Sequence, residues 1–397
     1  MKLTIGLTAL TAISSSASAQ YSGDIVQYWI DQSAILVNGT VIGGLPSPPS
    51  GWFEAIVQGA VYLAATKSVN ESLAFQQLAV SHAAHDSLHW TFHGTRLYPT
   101  IDLRFSTIAK QIGIDLKSDE ALRARDIGES AAVTATVARA NDGIHHYVAY
   151  EQQPKEPGLY QGRPGGLAVP DTPQAQFLRP FGGLGDISKY RAPPPPAAVS
   201  PEFEEFLVQV YEQGGNESSQ RTEYDTETAW YWLESSPIGW NRLANLVVGN
   251  SLATDVLASA KYYYNAWRPI TAIRYPDIYA ASGTNCTDLT WTPLLDPTPN
   301  HQDYLSTHAT FGAAAGAIIR AWNGGDEIDV QLSSNVTRIE TVITRRITSI
   351  AHAVKENGDS RVFGGIHFQY ASDVGNEIGD WVGRDTWDKF DEHWDEF

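Results

Sequence analysis

Ala260-Lys261-Tyr262-Tyr263-Tyr264-Asn265-Ala266-Trp267-Arg268-Pro269 is the first of three short clusters that decide how the chain reads. The second is Leu305-Ser306-Thr307-His308 and the third is Ser360-Arg361-x5-His367. Together they offer three cations, the Ser306 hydroxyl and two histidines, the donor set of a pocket for a tetrahedral oxyanion. The planar forks of Arg268 and Arg361 match dispersed oxygen charge better than point charges would, and Lys261 adds a mobile ammonium. Ser306 and Thr307 open an apolar run from Ala309 to Trp322, so a helix N-terminus would present backbone N–H groups to the anion. His308 and His367 make such a pocket reactive, because neutral imidazole serves as ligand or nucleophile and a second imidazole can move protons.

Spacing adds expectations that a structure can check. Lys261 and Arg268 are seven residues apart, which predicts one helix face, with Pro269 ending that helix beside the pocket. Arg361 and His367 would fall on different helical faces, but Gly364-Gly365 between them predicts a loop that turns both inward. Each cluster alone is more often structural; three in this order are hard to explain by accident.

The clusters resemble the signature of the vanadium-dependent haloperoxidases and the acid phosphatases of the type 2 phosphatidic acid phosphatase superfamily: Lys-x6-Arg-Pro, Pro-Ser-Gly-His, Ser-Arg-x5-His. The flanks Trp267-Arg268-Pro269-Ile270-Thr271-Ala272-Ile273-Arg274 and Gly358-Asp359-Ser360-Arg361-Val362-Phe363-Gly364-Gly365-Ile366-His367-Phe368 lean to the haloperoxidases. The likeness extends upstream through Trp240-Asn241-Arg242 and the proline run Pro193 to Pro196. It implies an all-α fold of two packed helical bundles, with the site in the second. It implies vanadate as cofactor, His367 as its axial ligand or, in a phosphatase, the nucleophile that forms phosphohistidine, and His308 as the acid–base group. Lys261, Arg268, Ser306, Thr307 through its amide, and Arg361 would hold the equatorial oxygens, with Lys261 also polarising the oxidant. The reaction so implied is oxidation of halide by hydrogen peroxide to hypohalous acid, with a small organic acceptor as a further partner. A secreted acid phosphatase using the same pocket is the alternative, and a non-enzymatic phosphate-binding scaffold is a third reading that two intact histidines make weaker.

Two positions depart from the family pattern, Leu305 in place of its proline and Thr307 in place of its glycine. His301 stands seven residues before His308, where relatives often carry Phe. A histidine there resembles bromoperoxidases more than chloroperoxidases, which points to a halide role and to bromide or iodide over chloride; a solvated loop histidine after Pro299-Asn300 is the competing reading.

Composition bounds the setting. Lys2, the apolar stretch Leu3 to Ile13 and Ala17-Ser18-Ala19 read as a secretory signal over residues 1–19. No other stretch approaches the roughly 18 to 20 apolar residues of a membrane span. Asn38, Asn70, Asn216, Asn285 and Asn335 head glycosylation sequons, in keeping with a secreted glycoprotein. A net charge of −18 argues against nucleic acid and anionic membranes as partners. Cys286 is the only cysteine, so no internal disulfide forms and a hydrophobic core must hold the fold. Once residues 1–19 are removed no methionine remains, which would suit a producer of oxidants, although twelve tryptophans weaken that argument.

Apolar periodicity predicts helices near Ile25 to Val37, Trp52 to Leu63, Leu73 to Leu88, Ala121 to Ala140, Phe203 to Tyr211, Leu243 to Tyr264, Phe311 to Trp322, Val336 to Val354 and Val374 to Val382. Residues 20–199 read as an N-terminal helical part ending in a Pro/Gly-rich covering loop from Gln152 to Ser200, and residues 200–397 as the bundle carrying the site. His82, His85, His89 and His93 share a helical face, as metal ligands do. The structural reading is favoured there, with Asp86 orienting a pocket arginine from behind; a metal site is the alternative. Oligomeric state is not legible.

Overall fold

The computed structural model describes residues 21–39, 47–93, 95–144, 146–167, 169–171, 173–181, 186–233, 247–275, 285–334 and 339–390. The signal segment, Trp240-Asn241-Arg242, Asn335 and the final acidic residues lie outside that range, as does part of the expected 243–264 helix.

Five helices form the first part: α1 (Ile25–Gly39), α2 (Ser47–Lys67), α3 (Leu73–Thr91), α4 (Tyr98–Ile112) and α5 (Asp119–Ala138). Their starts are written in the sequence. Ser72 caps α3 and Ser118 caps α5 by accepting the backbone N–H three residues on, while Gly113 closes α4 at φ 81°. The second part adds α6 (Pro201–Gly214), α7 (Glu223–Tyr231), α8 (Val247–Tyr264), the short α9 (Pro269–Ile273), α10 (Thr307–Asn323), α11 (Ile350–Phe363) and α12 (Gln369–Phe390). One buried apolar cluster runs through both parts, from Trp29, Trp52, Ile56 and Ile108 to Leu257, Trp267, Phe311, Phe368 and Val382. Helix α2 contributes to the link, packing on α3 and α5 and also on α8.

Helices dominate, as the periodicity predicts, with one correction. The expected helix over Val336 to Val354 is a strand followed by a helix: β2 (Ile343–Ser349) pairs antiparallel with β1 (Glu327–Ser334), and α11 starts only at Ile350, capped by Ser349. Ile343 and Ile347 are buried while Thr344 and Arg346 are exposed, so the apolar residues recur with period two. The β-branched run Thr341-Val342-Ile343-Thr344 favours that pleated surface.

Helices α10 and α12 pack closely. Ala309, Thr310, Ala313, Ala314 and Ala317 face Gly375, Gly379 and Gly383, and a Cβ at Gly379 or Gly383 would strike the Thr310 or Ala314 carbonyl. This seam of small residues brings the backbones together and fixes the N-terminus of α10 beside the segment that precedes α12.

The covering role of Gln152 to Ser200 is visible in its hydrogen bonds. Trp267 donates its N–H to Gly158 O and Tyr160 donates to Asn265 O, at 3.0 and 2.7 Å. Asp171 donates to Asn300 O, and the Tyr304 hydroxyl donates to Pro193 O. The strap thus grips both loops that carry the candidate site.

Candidate functional site

The first cluster is not one helix face. Helix α8 stops at Tyr264, Asn265 takes φ 47°, and Arg268 caps the separate helix that Pro269 opens. Asn tolerates that left-handed turn better than most residues, and its amide oxygen accepts a hydrogen bond from Gln302 Nε2 at 3.0 Å. Lys261 therefore reaches the site from the helix and Arg268 from the turn beyond it. The Gly364-Gly365 expectation is met: α11 ends at Phe363 and Gly365 takes φ 72° with its Cα against the Gly214 carbonyl, where no Cβ fits. The chain turns there, and Ile366 and His367 point back to Arg268.

Arg268 is the hub. Its Nε donates to His301 O at 2.7 Å, its Nη1 donates to Ile366 O at 2.6 Å and lies 2.9 Å from His367 Nε2, and its Nη2 lies 2.9 Å from His301 Nδ1. One guanidinium thereby ties the 301–308 loop to the 366–367 turn. Lys261 Nζ donates to three backbone carbonyls, Gln302, Asp303 and Leu305, so its ammonium holds the same loop in shape. Arg361 enters from α11, donates Nη1 to Trp232 O at 3.2 Å, and keeps a buried Nε with no hydrogen-bond partner. Ser306 is the N-cap residue of α10, yet its hydroxyl makes no capping bond. Ser306 Oγ and Thr307 Oγ1 are both buried without a partner. His308 lies in the first turn of α10, half-buried and within electrostatic reach of His301, and its carbonyl accepts from Asn357 Nδ2. His301 is 8% exposed and held by Arg268, so it is not a solvated loop residue.

Asp303 was not anticipated. It is fully buried, its Oδ1 standing 2.9 Å from His367 Nδ1 and 3.9 Å from Arg268 Nη1. The ring orientation leaves the His367 contact short of a straight hydrogen bond, but a carboxylate on Nδ1 favours the tautomer whose Nε2 lone pair faces Arg268. A carboxylate three residues before Ser306, in a cation-rich set, was the available signal.

Burial and mutual repulsion mark the cations. Burial and the Arg268 charge push Lys261 well below its ordinary range, and the same causes bring Arg361 down to about 9. His367 is lowered by burial and then by Arg268, Lys261 and Arg361. Asp303 is pushed up to about 7 by burial, against the pull of Arg268 and Lys261. Three buried cations thus face one buried carboxylate that is itself reluctant to ionise, and uncompensated buried charge is costly. With orphaned donors at Ser306, Thr307 and Arg361 beside a helix N-terminus, the set fits a compact oxyanion such as vanadate or phosphate.

Asp86 does not reach this pocket. Its carboxylate lies 2.6 Å from His85 Nδ1 on α3, which corrects the expectation that it orients a pocket arginine.

Comparisons with known proteins bear on the fold. Residues 246–396 match the family model of the VCPO second helical-bundle domain. The fold is that of solved vanadium haloperoxidases. An apo-type bacterial vanadium-dependent chloroperoxidase superposes with TM-score 0.69 at 18% identity, over 89% of this chain and 95% of that one. The holo-type bacterial enzyme gives 0.69 at 18%, over 94% and 100%. A bacterial vanadium-dependent iodoperoxidase gives 0.74 at 20%, over 93% and 98%. No curated protein matches the sequence. At these identities the vanadium haloperoxidase likeness speaks for the fold; the chemistry has to be argued from this chain's own residues.

Proposed function

We propose that this protein is a vanadate-dependent haloperoxidase that oxidises bromide or iodide with hydrogen peroxide to hypohalous acid. The observation that carries the reading is the convergence of Lys261, Arg268 and Arg361, all buried, on His367, together with the unpartnered buried hydroxyls at the start of α10. Vanadate, when bound, supplies a Lewis-acidic centre at which hydrogen peroxide becomes an electrophilic oxygen donor. Arg268, Arg361, Ser306 and the first amides of α10 would hold its oxygens, and His367 Nε2 would be the protein ligand, with Asp303 on Nδ1 keeping that nitrogen unprotonated. Lys261 would act through the loop carbonyls it holds and through its charge. Halide, peroxide and one proton give hypohalous acid and water, and His308 would supply the proton. The product leaves free or passes to a small organic acceptor.

The halide preference rests on His301. Arg268 commits one amino group to its imidazole and its Nε to its carbonyl, which leaves less positive potential for the oxidant. A milder oxidant takes iodide and bromide before chloride. Cys286, the only thiol, is fully buried and pushed up to about 11 by burial, so it is poorly reactive toward such products. Export is proposed from the N-terminal segment and from the sequons: Asn70, Asn216 and Asn285 are exposed and open to glycan attachment. Mass loss on deglycosylation of protein made in a eukaryotic secretory host would test it.

The deciding assay is dye bromination by purified protein with peroxide and bromide, with and without orthovanadate. Activity that requires vanadate and disappears in His367→Ala is expected. Release of phosphate from an aryl phosphate, blocked by vanadate and unaccompanied by bromination, would instead make the protein the acid phosphatase of the alternative reading.

A further inference from the structure

Among the N-terminal helices, α3 and α4 bring together His85, His89 and Asp102. His85 and His89 are four residues apart and so project from one face of α3, and Asp102 faces them from α4. His85 Nε2 lies 3.0 Å and His89 Nε2 2.7 Å from the same oxygen of Asp102, and the three atoms all lie within 4.8 Å of one another. His85 has a carboxylate on its other nitrogen too, with Asp86 Oδ1 2.6 Å from Nδ1.

A neutral imidazole carries one proton, so with carboxylates on both ring nitrogens one of the two contacts of His85 would set a lone pair against an oxygen lone pair. Two arrangements remove that conflict. His85 can be an imidazolium, which the two carboxylates favour against burial, or a cation can sit between Nε2 and Asp102. The second also accounts for His89 converging on the same oxygen. It reproduces the carboxylate–histidine–metal order, in which the outer carboxylate fixes the tautomer and turns the other nitrogen to the ion.

We propose that His85, His89 and Asp102 form a binding site for a divalent transition-metal cation of the zinc class, with Asp86 as its outer carboxylate. Two imidazoles and one carboxylate suit Zn²⁺, and water would complete the tetrahedron. Ligand atoms around such an ion stand roughly 3.3 Å apart, so the cluster opens slightly on loading. Asp102 can supply that movement, because its side chain is 59% exposed. Bound metal would cross-link α3 to α4 on the surface of the N-terminal helices. The neighbouring histidines are engaged elsewhere: His82 packs on Phe105 and His93 Nδ1 contacts the Trp90 carbonyl.

The test uses untagged protein stripped with chelator and titrated with zinc chloride. One equivalent should bind and raise the thermal midpoint by roughly 3–5 °C at a hundredfold excess over Kd. His89→Ala and Asp102→Asn should each weaken that equivalent at least about 100-fold, and Asp86→Asn about 10- to 100-fold, while His93→Ala leaves it unchanged. Cobalt(II) should give the visible absorption of a tetrahedral site in the wild type and lose it in His89→Ala. Wild-type protein that takes up no more zinc than His89→Ala, with His85 doubly protonated by NMR at neutral pH, would overturn the site and leave a hydrogen-bonded histidine–aspartate pair. Zinc uptake unaffected by His89→Ala and Asp102→Asn would overturn it equally.

Discussion

Arg268→Lys separates charge from geometry in the oxyanion pocket. The substitution keeps the positive charge but replaces a planar fork with a single ammonium. In the structure that fork serves His301 O, Ile366 O, His367 Nε2 and His301 Nδ1 at 2.6–2.9 Å, and the residue is 1% exposed. An ammonium on the shorter stem reaches one or two of these. At least one buried carbonyl and one imidazole nitrogen then lose their donor, at about 1–3 kcal/mol each. The expected loss of stability is about 2–4 kcal/mol, read as a shift in the urea midpoint at unchanged slope. Vanadate affinity by calorimetry should fall at least tenfold, because the 301–308 loop and the 366–367 turn lose their common anchor. If the pocket needed only charge, both quantities would barely move. Stability within about 0.5 kcal/mol of wild type, together with unchanged vanadate affinity, would refute the reasoning.

Other consequences are equally open to measurement. Gly379→Ala drives a methyl into the Thr310 carbonyl across the α10–α12 seam, and should cost about 3 kcal/mol in urea unfolding; a neutral outcome would mean the helices separate easily. His82 is lowered to about 4 by burial. Its unfolded form therefore takes a proton first as pH falls through about 6.5, and stability present above that pH is lost progressively down to about 4. Near pH 5 the loss is about 1–2 kcal/mol, and His82→Gln should flatten that part of the stability–pH curve, measured with chelator present; an unchanged curve would place the acid sensitivity elsewhere. His308→Ala should lower turnover in the bromination assay more than it lowers vanadate affinity, since its proposed task is proton supply; equal losses in both would make it a binding residue instead.

The candidate site was legible in the sequence because oxyanion chemistry admits few residue types. Guanidinium, ammonium, hydroxyl and imidazole must come from Arg, Lys, Ser or Thr, and His, and the order of three short clusters exposes them without any knowledge of the path between. Helices with a clean apolar stripe were legible for a similar reason, since burial of one face imposes a 3.6-residue period. The hairpin was not, because Ile343 and Ile347, four residues apart, satisfy a helical period as well as a pleated one. Only pairing with Glu327–Ser334 selects between them.

What the tertiary structure alone decided is which atoms meet. Asp303 on His367, Lys261 on three carbonyls of one loop, and the Arg268 bridge between two segments depend on a left-handed turn at Asn265, on the turn at Gly365 and on the glycine seam beneath α10. None of these is a property of a local stretch. The sequence by itself determined the chemistry available, since side-chain type is a local fact; convergence, burial and the resulting charge imbalance are sums over residues far apart in the chain, and only the packed fold evaluates them.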